Sequence, residues 1–194
     1  VTGNGVTAIG AWGQGGGVYL SGANSLVTNC DIIGNVSTNY GGGVFMTSSA
    51  RMMNSRIIQN RATRSQYSDG GGVHMDNGSL VSHCQIISNS CLNATPHYGG
   101  GVNCTESTLR NCLIMGNSAM YGAGVNLGAT GLIENCTIVT NTGTYAGISI
   151  LTGISNGRCV NTIIYYNNGT EFYQATVGNT FSNCCSASTN SMSG

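Results

Sequence analysis

The residues in this chain most capable of chemistry are His74 and Asp76. One residue apart, they would share a face of an extended strand, where an imidazole and a carboxylate can act as a general base and the group that orients it. Two long connections nearby, Arg61–Asp69 and Ser90–Tyr98, carry Arg61, Arg64, Tyr67, Asp69, Cys91, His97 and Tyr98. Arginine and tyrosine are favoured in binding surfaces, and loops held by a rigid scaffold are where binding concentrates. These residues form the candidate binding set: Arg61, Arg64, Tyr67, His74, Asp76, His97 and Tyr98. A catalytic set is harder to assemble. Glycoside hydrolysis needs two carboxylates flanking the scissile bond, and beside His74 the face offers only Asp76, with Glu106 in a turn. The six acidic residues of the chain are scattered along it. The expectation is therefore a protein that is not an enzyme, with His74 and Asp76 as solvated surface residues.

The nine cysteines are the other reactive groups. None shows the paired Cys-x-x-Cys spacing of a metal site, so neither metal nor cofactor is expected. Their positions make sense only against an internal repeat. A glycine motif recurs at Gly15-Gly16-Gly17-Val18, Gly41-Gly42-Gly43-Val44, Gly70-Gly71-Gly72-Val73 and Gly99-Gly100-Gly101-Val102, then weakens to Gly122-Ala123-Gly124-Val125 and Ala146-Gly147-Ile148. After each comes the pattern apolar-x-Asn-Cys-x-Ile-x-x-Asn, beginning at Val27, Met52, Val81, Leu109, Ile133, Cys159 and, in degenerate form, Phe181. Aligned, it yields an isoleucine column (Ile32, Ile57, Ile86, Ile114, Ile138, Ile164) and a terminal asparagine column (Asn35, Asn60, Asn89, Asn117, Asn141, Asn167).

The columns dictate an architecture. The residue after the first asparagine and the isoleucine two further on lie on one face of a strand. The asparagine before them breaks the alternation and marks a sharp turn in the left-handed conformation that asparagine tolerates. The glycine motif opens another strand, whose inward residues run Val18, Val44, Val73, Val102, Val125 and Ile148. Short strands of this kind cannot bury an apolar face alone; stacking successive coils does so. The predicted fold is all-β: a right-handed parallel β-helix of about seven coils, three short strands per coil, over residues 1–185, with 186–194 as tail or linker. Cys30, Cys84, Cys112, Cys136 and Cys184 fall in one inward column and read as small core residues. Cys91 in its connection and Cys185 are expected to face outward, as the candidates for a covalent link. Tyr40, Tyr98, Tyr121 and Tyr145, each just before a glycine motif, are expected to stack along a coil edge.

These motifs resemble the repeats of polymorphic outer-membrane proteins, which pair Gly-Gly-Ala-[Ile/Leu/Val] with Phe-x-x-Asn; here the two read Gly-Gly-Gly-Val and, as in Ile32-Ile33-Gly34-Asn35, Ile-x-x-Asn. The Asn-Cys-x-Ile core is also similar to the β-helix repeats of bacterial surface proteins and pectin-lyase-like enzymes. The resemblance implies an extracellular or cell-surface adhesin-like passenger, stalk or fibre. It also implies where a polysaccharide-active site would lie: the outer face of the first sheet, at Tyr19, Phe45, His74, Asn103, Asn126 and Ser149. The acidic calcium ligands that a lyase of this kind generally uses have no counterpart on that face.

Composition excludes other classes. Charged residues are only 6% and the formal net charge is zero, so there is no electrostatic footprint for nucleic acid, and no apolar run is long enough for a membrane-spanning helix. The glycine repeats open strands rather than helices, which is wrong for a phosphate-binding loop. Val1-Thr2-Gly3-Asn4 matches Ile32-Ile33-Gly34-Asn35, so the chain is expected to start in mid-coil. The expected partners are neighbouring coils of a longer parent chain or head-to-tail copies of this one, and possibly glycans.

Overall fold

The computed structural model describes residues 1–6, 13–63, 68–92, 96–150, 156–174 and 178–186. The expected tail lies outside the described residues apart from Ser186. Every strand pairing is parallel, and three sheets of seven strands each run the length of a solenoid of about six turns, with three principal strands per coil. Sheet one stacks Val18–Ser21, Val44–Thr47, Val73–Met75, Val102–Cys104, Val125–Leu127, Thr142–Ile150 and Asn168–Gln174. Sheet two runs from Leu26–Thr28 to Thr180–Ser182, and sheet three from Asp31–Ile33 to Cys185–Ser186.

The register follows the sequence columns. Ile86 pairs with Ile57 and Ile114, and Ile114 with Ile138. Val73 sits between Val44 and Val102. One core runs down the axis, filled by Met46, Met52, Met75, Leu109, Leu127, Ile133 and the isoleucine column, all fully buried. At about 25 cal/mol per Å² of apolar surface, such a continuous core is the main source of stability. The chain's first residues keep this register: Thr2 bridges to Ile33, and the Gly3 amide bonds to the Ile33 carbonyl.

Corners are made by residues with positive φ. The asparagine that opens the second motif adopts φ of 50–54° at Asn29, Asn54, Asn111, Asn135, Asn161 and Asn183, and His83 stands in the same place at 54°. A second left-handed column comes just before the terminal asparagine: Gly34, Gln59, Ser88, Gly116, Thr140 and Tyr166. The glycine triplet serves three purposes in order. Its first member has φ of 54–68° in five coils. A Cβ on the second would run into neighbouring backbone, as at Gly42 against Arg61. A Cβ on the third would strike the side chain of the terminal asparagine, 2.9 Å away for Gly43 against Asn60.

That last contact shows where the terminal asparagines point: inward. Asn35, Asn60, Asn89, Asn117, Asn141 and Asn167 are all buried. Each Oδ1 from Asn60 to Asn167 accepts both the backbone N–H and the amide N–H of the asparagine one coil before; for Asn117 and Asn141 the distances are 2.9 and 3.0 Å. From Asn60 onward the second amide hydrogen goes to an isoleucine carbonyl, as from Asn117 to Ile86 at 3.0 Å, while that of Asn35 goes to the Val1 carbonyl at 3.3 Å. A buried amide costs free energy unless bonded, and here both its N–H bonds and its carbonyl are used. The column ends on a carboxylate: Asn167 gives its backbone and side-chain N–H to the two oxygens of buried Glu171, at 3.2 and 2.6 Å. Glu171 takes the place of a seventh asparagine.

The two long connections do not simply project. Their ends add strands to the stack: Arg61–Ala62 pairs with Ser90–Cys91, and Ser68–Asp69 with His97–Tyr98. A second small core forms beneath them from Ala62, Cys91, Ala119, Ala123 and Ala146. Cys91 therefore faces inward, fully buried, with its thiol 3.3 Å from the Tyr98 carbonyl, and not outward as expected. It belongs to a column of small residues two places after the terminal asparagine: Ser37, Ala62, Cys91, Ala119. Cys185 is exposed, as expected.

Candidate functional site

The outer face of sheet one holds the candidate site, and it is not a solvated face. Tyr19, Phe45, His74, Asn103 and Asn126 stand in register, followed by Ser149. Tyr19 is 54% exposed, but Phe45, His74, Asn103, Asn126 and Ser149 are all buried. The expectation that His74 is a solvated surface residue is thus corrected. Two contacts account for its burial. The Phe45 ring stacks on the imidazole at 5.0 Å, and Tyr40, at the end of the connection preceding the second-coil strand, lays its ring 4.9 Å away. Tyr19 continues the stack on the far side of Phe45 at 5.2 Å.

On its other side His74 meets amides. Asn126 gives an N–H to Asn103 Oδ1 at 2.6 Å, so Asn103 presents its own N–H to His74 Nδ1, 3.2 Å away. This makes Nδ1 an acceptor and places the ring proton on Nε2. Nε2 lies 3.8 Å from Asp76 Oδ2, too long for a hydrogen bond but close enough for a charged contact once the imidazole is protonated. Burial acts to raise the Asp76 pKa, but the nearby imidazole of His74 and hydrogen bonds from Thr47 and Asn77 outweigh it and hold the carboxyl below its usual range.

A third ionisable group joins them. Asp69 stands in the tyrosine column, bridged to Tyr40 on one side and paired with Tyr98 on the other. The column then runs through Tyr121 and Tyr145, with ring separations of 5.2 and 5.1 Å. Asp69 thus fills the coil where the tyrosine is missing. Burial pushes its pKa up to about 6, partly offset by the charge interaction with His74, and its Oδ1 finds no hydrogen-bond partner among the described residues. Sequence reasoning had Asp69 only as a loop residue. The signal was the gap in the tyrosine column.

The remaining candidates are dispersed. Arg61 is exposed on its added strand. His97 is half-buried and structural: its Nδ1 accepts the Met120 amide N–H at 2.8 Å, and burial lowers its pKa. Tyr98 stacks on Tyr121 as above. Arg64 and Tyr67 lie outside the described residues. The site therefore reduces to the third-coil group Asp69, His74 and Asp76, walled by Tyr40, Phe45 and Asn103. The three groups interact through their charges, and only Asp76 is half-open to solvent. Among the described residues no cluster of three histidine, cysteine or acidic side chains is arranged to hold a metal ion, and no helix is long and apolar enough to cross a membrane. Comparison with known proteins finds no counterpart: no protein family, no curated protein and no solved structure matches this chain.

Proposed function

We propose that this chain is a non-catalytic structural solenoid of the extracellular or cell-surface kind: a stalk, fibre or adhesin passenger segment. One observation carries the reading. On the face where a β-helix enzyme would meet a polymer, the side chains from Phe45 to Ser149 are buried and spend their rings and amides largely on one another. A polysaccharide needs an open groove with convergent polar groups. The motif resemblance to surface-protein repeats points the same way, while fold alone fixes no function. The test is a panel of neutral and acidic polysaccharides incubated with the purified chain. No turnover is expected; turnover that disappears in Asp76→Ala overturns the reading. Location is tested separately, by labelling intact cells of the source with an antibody to the chain.

A second reading, glycan binding or cleavage at the third coil, is favoured by Asp69, a buried carboxyl group whose Oδ1 has no hydrogen-bond partner among the described residues, where the neighbouring coils place tyrosine. Glycan-array binding lost in both Tyr67→Ala and Tyr98→Ala would support it. Partners on the structural reading are further coils of a parent chain or copies stacked end to end. Glu171 works against the second, because a copy extending the asparagine column there must displace a carboxylate that already holds both donors of Asn167. Light scattering at rising concentration should show a monomer for the parent chain and growth for Glu171→Ala if stacking is held back by this residue.

A further inference from the structure

Two thiols from adjacent coils face each other near one end of the stack. Cys159 sits mid-strand in Arg158–Val160, fully buried. Cys184 follows the left-handed Asn183 one coil later and is only partly buried. Their sulfurs are 3.6 Å apart. The contact is diagonal: the register partner of Cys159 is Phe181, and Cys184 reaches it from beyond the Asn183 turn. Its sulfur also lies 3.5 Å from the Cys159 carbonyl oxygen. The stacked cysteines Cys84, Cys112 and Cys136 differ in the property that matters, since all are buried and an oxidant in solution has no path to them.

We propose that Cys159 and Cys184 are a disulfide-forming pair that fastens the seventh coil to the sixth by exchange with a low-molecular-weight disulfide of the glutathione class. The roles follow from exposure and proton affinity. The Cys159 thiol, beside Cys184, holds the Cys184 pKa down to about 6 against the opposing effect of burial. The same contact, with burial, pushes Cys159 up. Cys184 is therefore the thiolate that attacks and Cys159 the thiol that resolves. In the first step the Cys184 thiolate bonds to one sulfur of oxidised glutathione and a glutathione thiolate leaves. In the second, Cys159 passes its proton to a thiolate or water and attacks the Cys184 sulfur, expelling the second glutathione. Two protein thiols are oxidised and one small disulfide is reduced to two thiols. The sulfurs must close from 3.6 Å to about 2.05 Å.

The bond would link positions 25 residues apart and so restrict the unfolded chain, raising Tm by roughly 5–10 °C. The experiment treats the folded chain with oxidised glutathione, quenches by alkylation and maps chymotryptic peptides by mass spectrometry. Expected is a cross-link between Cys159 and Cys184 that persists in Cys185→Ser, and a stable glutathione adduct on Cys184 in Cys159→Ser. No cross-link at Cys159, a lasting glutathione adduct on Cys184 in the unmutated chain, or a bond joining Cys184 to its exposed neighbour Cys185 would each overturn the proposal. Fragmentation of the cross-linked peptide assigns the bond to Cys184 or Cys185 in the unmutated protein, so the proposal does not depend on either variant folding.

Discussion

Two polar columns run through the same coils, one inside the solenoid and one on the outer face of sheet one, and they are built on opposite rules. The inner column repeats one residue from Asn35 to Asn167 and closes on Glu171, with its amides bonded coil to coil. The outer column changes residue at almost every step, from Phe45 to His74 to Asn103, and leaves Asn126 Oδ1 and Ser149 Oγ without hydrogen-bond partners among the described residues. Repetition with full bonding is what stability demands of a buried polar ladder. Departure from it leaves unpaired groups at a cost in stability. Beside the outer column, the tyrosine column departs from its own pattern at the third coil, where Asp69 stands in place of tyrosine.

The inner rule breaks most visibly in the core that surrounds it. Ile114→Asp places an unpaired charge between Ile86 and Ile138 and should abolish folding; a soluble variant with native circular dichroism would refute the register. Next, Asn117→Ala removes an acceptor for two N–H groups of Asn89 and a donor to Ile86 and Asn141. At about 1–3 kcal/mol for each orphaned buried group, a loss of at least about 4 kcal/mol in denaturant unfolding is expected. Glu171→Ala strands only the two donors of Asn167, and should cost about 2–6 kcal/mol by the same reasoning.

The outer rule predicts the opposite sign. The Asp69 pKa is raised by burial from 3.8 to about 6, so the folded state binds its proton more tightly than the unfolded one. The stability this group contributes is full below about pH 4 and declines as pH rises toward 6, a penalty of roughly 3 kcal/mol at neutral pH by linkage. Asp69→Asn should therefore unfold at higher denaturant than the parent at pH 7 and lose that advantage at pH 4. Asp69→Tyr, which completes the tyrosine column, tests whether the position is reserved for function: gained stability with lost glycan binding would say so. The smallest effect belongs outside both columns. Asp31 and Arg56 form a bidentate pair at 2.7 Å, both half-exposed, and Arg56→Ala should leave Tm within measurement error, since exposed pairs contribute little.

How much of this could be read in the sequence depended on whether a position repeats in kind. The isoleucine register and the left-handed asparagine corners were legible because one residue type recurs. The second left-handed column was not, because glycine, glutamine, serine, threonine and tyrosine share it with only backbone geometry in common. Glu171 was not legible, because nothing in its immediate neighbours says that it turns back to Asn167. Simple alternation also assigned His74 to solvent, since it cannot see the Tyr40 ring arriving from the preceding connection. Cys91 went astray for the opposite reason: its column of small residues was present but lies in what looked like a loop.

The inner amide column also determines how the molecule comes apart. In a solenoid each coil touches only its neighbours, so unfolding resembles a one-dimensional chain of units with nearest-neighbour coupling. Shape-filling side chains alone would let an end coil fray at the loss of its own contacts. Here, removing one coil also strips the acceptor from two donors of the coil before it, so the coupling between units grows relative to the stability of each. Amide hydrogen exchange should then report protection that stays nearly level from the second coil to the sixth and falls abruptly beyond, where a stack without the column would show a gradual slope.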